Sequence, residues 1–380
     1  MKEEHSKRLA VSRFLTVVAA LIVFAAGIFV GSSAERSQTA LDLSKFWRVY
    51  SLISENYPGE IDKDAAIDGA IRGLVGSLGD PYSSYLDEVE HRQLEEDLSG
   101  EFEGIGAILT QKDGDTVIVE PIEGSPAAIA GLQKDDVIIA VGDEAVAGQV
   151  LEDVVAKIRG PKGTKVTLTI QRGETELTIE IERGTITVES VKTEKRGNVG
   201  IIHISQFGDD TVEGVRRAIA DLEKQNVTKY LIDLRNNPGG YLNTVAPVAG
   251  FFLPPGSTVV KQLYQGGSHD ELRTTEAPLV ASKPVYVFIN GGSASASEIL
   301  AGALQDHQRA IVLGEKSYGK GSVQDIINLR GSTALRLTIA EWITPNDRHI
   351  SKVGIEPDQQ IASDDDAVGL QQALDYIASR

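Results

Sequence analysis

Ser293, Ser295 and Ser297 lie just beyond an apolar run, Pro284 to Ile289, and Lys320 stands 25 residues after Ser295 between two glycines. The run reads as a strand, and Ala296 to His307 reads as a helix. A serine at such a junction sits where unpaired backbone N–H groups and the helix dipole favour developing negative charge. Ser293 is closest to the strand and suits a helix cap, and Ser297 falls in the first helical turn. Ser295, between two alanines, leaves room for a substrate and frees the Ala296 N–H as an oxyanion donor. The serines are nucleophile candidates, with Ser295 the foremost.

A histidine base is tested first. Asp306 and His307 are adjacent, but they lie 11 and 12 residues beyond Ser295 on one helix, roughly 16–18 Å away at 1.5 Å per residue. A base must reach hydrogen-bonding distance, so neither qualifies, and Asp306 is expected to tie the far end of the helix to the Lys320 region or simply to cap it. His203 and His349 have no catalytic-loop context. Lys320 remains, because a desolvated lysine with a depressed pKa can take the serine proton. Gln324, four residues on, either orients the amine or simply packs. Pro238-Gly239-Gly240 ends a strand and opens a helix, so its N–H groups can complete an oxyanion hole. Gly319-Lys320-Gly321-Ser322 is not a phosphate loop, since the upstream glycine is missing.

The elements that must position these residues follow from pattern. From Ile186 onward, strand and helix alternate: Val199–Ile204, a helix over Thr211–Gln225, Tyr230–Leu234, a helix from Tyr241, the Ser295 and Lys320 segments, strands near Ala334–Ala340, and a terminal helix over Asp364–Ala378. Leu41 to Gly100 reads as helical, either a docking or homo-oligomerisation module or a support for its neighbour. Between them, Gly104 to Gly184 reads as short strands around the helix Val150–Ile158.

The chain has 380 residues, is 41% hydrophobic and 24% charged, and carries a net charge of −18. No basic cluster suits nucleic acid. The absence of cysteine removes disulfides and thiol chemistry, and the six histidines (His5, His91, His203, His269, His307, His349) show no metal-ligand spacing. Neither metal nor cofactor is expected. At the N-terminus, Lys2, Lys7, Arg8 and Arg13 precede a 17-residue run, Phe14 to Val30, with Thr16 its only polar side chain. Residues 1–34 are expected to form a transmembrane anchor, with a cleaved signal peptide ending near Ser32-Ser33-Ala34 as the rival; both export the body of the protein.

Two resemblances sharpen this. Phe102-Glu103-Gly104-Ile105-Gly106-Ala107, Gly124-Ser125-Pro126-Ala127, Ala130-Gly131-Leu132 and Asp136 to Gly142 resemble a PDZ domain over about 80 residues. The resemblance implies that Gly104, Ile105, Gly106 and Ala107 hold a peptide carboxylate beside a strand edge that accepts the peptide. Asp135 departs from the family, which usually has glycine there. The whole from Phe46 onward resembles the carboxyl-terminal processing peptidases, or tail-specific proteases. The matching phrases are Gly79-Asp80-Pro81-Tyr82-Ser83-Ser84, Asp233 to Gly240, Gly292 to Glu298, Gly319 to Gln324, and Gly354-Ile355-Glu356-Pro357-Asp358.

That resemblance implies an α/β fold: a ββα spiral core like that of the Clp protease and crotonase superfamily (186–380), with an inserted PDZ domain (101–185) and a helical N-terminal region (41–100). It implies Ser295 as nucleophile, Lys320 as base, Gln324 as its orienting partner, and an oxyanion hole from Ala296 with Gly240 or Gly239. It makes Arg159 a candidate relay between the PDZ domain and the catalytic site. The expected activity is a serine endopeptidase that captures exposed C-terminal tails of exported proteins. A catalytically silent PDZ scaffold, or a regulator of another protease, is the competing reading.

Overall fold

Strand Val285–Ile289 buries all five of its side chains, as the apolar run requires of a parallel strand covered on both faces. It is an inner strand of the main sheet in the computed structural model, which describes residues 42–363 and 365–380. The proposed anchor, residues 1–34, lies outside the described residues; among those, no helix is long and apolar enough to cross a membrane.

The chain divides into two units, Met1–Gly69 and Ala70–Arg380. The first contains α1 (Ser44–Asn56), with Phe46, Trp47, Val49 and Ile53 exposed, and the start of α2 (Lys63–Gly76). In the second unit, β1 (Ser84–Leu86) adds a short strand to the region that the sequence read as helical. Asp87 then caps α3 (Glu88–Ser99), accepting from Val89 N and Glu90 N at 3.0 Å each, and the Glu90 carboxylate returns to Asp87 N. These reciprocal bonds satisfy the orphan donors of the first turn.

β2 (Glu101–Gly104) leads into the PDZ-like part: β3 (Ala107–Lys112), β4 (Asp115–Pro121), α4 (Pro126–Ile129), β5 (Val137–Val141), β6 (Glu144–Ala145), α5 (Leu151–Ile158), β7 (Lys165–Arg172) and β8 (Thr175–Glu182). The sheet order is β3-β4-β5-β7-β8, with β6 on β5, over a core that includes Ile118, Val154, Leu168 and Ile170. Ile105 and Gly106 form a loop, and pairing starts at Ala107. Asp135 takes φ +67°, the left-handed conformation that glycine adopts freely and aspartate tolerates. β9 (Gly184–Thr187) returns antiparallel to β2.

The main sheet contains β10 (Val191–Arg196), β11 (Val199–Ile204), β12 (Lys229–Asp233), β15 (Val285–Ile289), β16 (Ala310–Gly314) and β19 (Gln359–Gln360), in that spatial order. Only β10–β11 is antiparallel. Helices α6 (Thr211–Lys224), α7 (Leu242–Gly250) and α8 (Ala296–Asp306) join its strands. Alternate residues point to opposite sides. Ile202, Ile232 and Val287 pack with α6, α7 and α8, while Ile201, Leu231, Tyr286 and Phe288 meet Ala373 and Ile377 of α9 (Asp366–Ala378). A second sheet, not foreseen as such, has the order β1-β18-β13-β14, from β13 (Thr258–Tyr264), β14 (His269–Arg273) and β18 (Ala334–Ile343), with β17 (Ser322–Asn328) on β18. The β17–β18 hairpin carries the Lys320 region towards α8.

Candidate active site

The turn from β15 into α8 holds Ser295 at φ +53° and ψ −115°. A side-chain-bearing residue pays strain there, on the order of 1–2 kcal/mol, and keeps that conformation only where its surroundings over-determine it. Here they do. Ser293 Oγ donates to Leu234 O at 2.7 Å, Ala294 N donates to Asn237 O at 3.0 Å, and Ser297 Oγ donates to Asn237 O at 3.1 Å. Ser293 and Ser297 are both fully buried. The three-way choice is thereby narrowed: the flanking serines bolt the turn to the segment after β12, and half-buried Ser295 occupies the N-cap position that the sequence suggested for Ser293.

Ser295 lines a cleft of about 370 Å³ together with Gly239, Gly240, Lys320 and Gln324. Hydrogen-bond accounting separates the two glycines. Gly239 N already donates to Asn237 Oδ1 at 2.9 Å. Gly240 N and Ala296 N have no acceptor among the described residues. These two are therefore the N–H groups available to an oxyanion. Gly239 is required for another reason. A Cβ on it would stand 2.8 Å from Ser295 Cβ and 3.1 Å from Ala296 N, at φ +106°. Gly239→Ala is expected to cut kcat/KM by about 10²-fold or more, as read by peptide cleavage; activity within twofold of wild type would contradict this geometry.

Lys320 sits in the loop between β16 and β17. At Gly321 a Cβ would approach Ser351 N to 2.5 Å, so only glycine lets these strands of chain meet. The lysine carbonyl accepts from Trp342 Nε1 at 2.8 Å. Its Nζ lies 5.2 Å from the centre of the Tyr82 ring and makes no ion pair or hydrogen bond among the described residues, that to Ser295 Oγ included. Burial, then the nearby Arg336 guanidinium, hold its pKa below the usual lysine value; Glu298 and Asp80 pull weakly the other way. Gln324, expected beside the amine, lines the same cleft but donates to Ser322 Oγ at 2.8 Å and Thr338 Oγ1 at 3.2 Å.

Glu298 is the residue that sequence reasoning passed over. It is fully buried. Its carboxylate accepts from Ser295 N at 2.8 Å, Ser317 Oγ at 2.6 Å, Gly319 N at 2.6 Å and Lys320 N at 2.9 Å. One side chain thus ties the serine turn to the lysine loop. The signal was present: Ser295-x-x-Glu298 is the spacing of a capping box. Tyr82 and Arg336 had no comparable local signal.

Asp306 lies at the far end of α8. Its carboxylate accepts from Asn346 N at 2.8 Å and pairs with Arg348, while His307 Nε2 meets Thr258 O at 2.7 Å. Neither residue lines the cleft. In the PDZ-like part, Gly104, Ile105, Gly106 and Ala107 line a groove of about 170 Å³ with Leu109, Val155 and Arg159. β3 is the edge strand of its sheet, so it can accept an added strand. Arg159 stacks on Phe102 at 5.1 Å and reaches Glu96 at 3.3 Å. Glu96 belongs to α3, whose Leu94, Asp97 and Leu98 line the cleft that holds Ser295 and Lys320.

Residues 198–361 match the model of peptidase family S41, residues 117–172 that of a PDZ domain, and residues 25–90 that of the activating protease CtpB N-terminal domain. The chain is 37% identical over 372 residues to a "Probable CtpA-like serine protease" of Staphylococcus epidermidis, covering 95% of this chain and 76% of the relative. It is likewise 37% identical over 352 residues to the carboxy-terminal processing protease CtpA of Bacillus subtilis, covering 90% and 75%. The chain belongs to peptidase family S41. As an S41 member it is a serine-type, C-terminal processing peptidase with a PDZ domain, on the mixed α/β fold described above. A photosystem II D1 C-terminal processing protease superposes with a TM-score of 0.52 at 27% identity, over 86% of this chain and 90% of that one. A "Putative S41 protease" from Bacteroides fragilis gives 0.55 at 17% identity, over 85% and 92%, a likeness of fold.

Proposed function

We propose that this S41 peptidase is an endopeptidase that cuts exported proteins near their C-terminal tails through a Ser295–Lys320 dyad. The observation that carries the reading is a half-buried amine that forms no ion pair among the described residues, lining the same cleft as Ser295. Burial favours the uncharged form of an amine and so lowers the lysine pKa, and the neutral amine is the form that can act as a base. Lys320 Nζ takes the Ser295 Oγ proton as Oγ attacks the scissile carbonyl carbon. The oxyanion is met by Gly240 N–H and Ala296 N–H. On collapse the C–N bond breaks, and the Lys320 ammonium returns its proton to the leaving amine. Water, deprotonated by the same amine, then cleaves the ester and restores Ser295. Since the two side chains are not hydrogen-bonded in the structure, the substrate is expected to complete their approach, as catalytic contacts often tighten only in the complex.

The groove at Gly104 to Ala107, beside an edge strand, supports a tail as the captured element. The basic N-terminus followed by the apolar run from Phe14 to Val30 supports export and attachment to a membrane. Gln324 would orient the amine once its present hydroxyl partners release it, and Arg159 would relay groove occupancy to α3. Ser295→Ala is the deciding variant. Cleavage of an unstructured peptide with an apolar C-terminus should fall by about 10³-fold or more. Retained cleavage in that variant would move the nucleophile elsewhere.

A further inference from the structure

Arg336 lines the cleft of Ser295 and Lys320 from β18. Its side chain makes no ion pair or hydrogen bond among the described residues, and its Nε is buried with nothing to receive its proton. Ser84 lies directly opposite it in the β1–β18 register, and the Ser84 hydroxyl is likewise buried and unpartnered. Cross-strand neighbours share a face, so one patch of sheet holds two unsatisfied groups side by side. Buried donors are nearly always paired, and a guanidinium is the side chain best shaped to grip a carboxylate. The setting favours an anion further. In a chain of net charge −18, the charged residues lining this cleft are Lys320, Arg336 and Asp97.

We propose that Arg336 binds a carboxylate of the peptide being cleaved, and so determines specificity in the catalytic cleft. This rests on the endopeptidase reading of Ser295 and Lys320, and is separate from capture by the PDZ groove. Arg336 pairs with Ile326, four residues along β17 from Ser322, or roughly 13 Å at the rise of a strand. An extended substrate advances at the same pitch, which puts its carboxylate within roughly four residues of the cut bond. Two sources present this chemistry at that place: the terminal carboxylate of a short tail, and an Asp or Glu side chain.

The test compares matched peptides on the full chain. One pair differs in a free against an amidated C-terminus; the other differs in Glu against Gln placed two to four residues from the cut. Each ratio of kcat/KM is measured for the wild type and for Arg336→Gln. Effects of the PDZ groove are common to both enzymes and cancel in the double ratio. At least one double ratio is expected to reach about tenfold, and the pair that shows it identifies the source. Arg336→Lys keeps the charge without the fork and should fall between, which also covers the case that the glutamine variant fails to fold. Double ratios within twofold of unity for both pairs would overturn the proposal. A role confined to the titration of Lys320 would change all peptides alike and leave the ratios untouched. If instead Ser295→Ala cleaves the peptides, it is the endopeptidase reading that fails.

Discussion

Lys320→Arg is expected to lose cleavage as fully as Lys320→Ala, by about 10²–10⁴-fold in kcat/KM, although it keeps a positive charge in the cleft. The base must be neutral to accept a proton, and a guanidinium does not deprotonate in proteins. The wild-type pH profile carries the same argument. Burial and Arg336 lower the lysine pKa from its ordinary 10.5, and the opposing pull of Glu298 and Asp80 does not restore it. Lowering the pKa enlarges the neutral fraction at any pH below it. Activity should therefore rise with pH along an acid limb that lies below the ordinary lysine range. Peptide cleavage across pH checks both points. An active Lys320→Arg enzyme, or a limb at the unperturbed lysine value, would remove Lys320 from the role of base.

What the sequence made legible was whatever local pattern can encode. The run before the serine turn is apolar because β15 is covered on both faces, and all five of its residues are buried. The distance argument against Asp306 and His307 needed only the helix rise, and their partners, Arg348 with Asn346 and Thr258, lie away from the cleft. The choice among three serines was legible only in part. Ser293 and Ser297 are fixed by carbonyls of Leu234 and Asn237, about sixty positions earlier, and no spacing within the turn reports such a contact. The environment of Lys320 was hidden for the same reason: Tyr82 reaches it from a segment more than two hundred residues away. β14 escaped notice because His269-Asp270-Glu271-Leu272-Arg273 is an exposed edge strand without apolar alternation. Three-residue β1 was lost among helices because pairing with β18, and not its own pattern, makes it a strand.

Glu298→Gln is expected to lower kcat/KM by about 10²-fold while moving the acid limb of the pH profile downward. The first effect follows from donor count. Glu298 Oε1 accepts from Ser317 Oγ and Gly319 N, and Oε2 accepts from Ser295 N and Lys320 N. An amide replaces one acceptor oxygen with a donor. Ser317 can turn its hydroxyl, so the amide nitrogen would settle on the Oε1 side, yet Gly319 N–H still loses its acceptor. On the other side it would confront both the serine and the lysine backbone. A buried donor left unpaired costs about 1–3 kcal/mol, and here the loss falls on the tie between the Ser295 turn and the Lys320 loop. The strained conformation of Ser295 is held partly by that tie, so the drop should appear in kcat more than in KM. The second effect follows from charge. The carboxylate favours the Lys320 ammonium; without it the amine loses its proton at lower pH. A variant with a reduced maximum but an acid limb shifted to lower pH would therefore report both roles of one residue. An unchanged maximum would mean that the four hydrogen bonds do not hold the dyad, and a limb moved upward would mean that the carboxylate does not act on Lys320 as a charge.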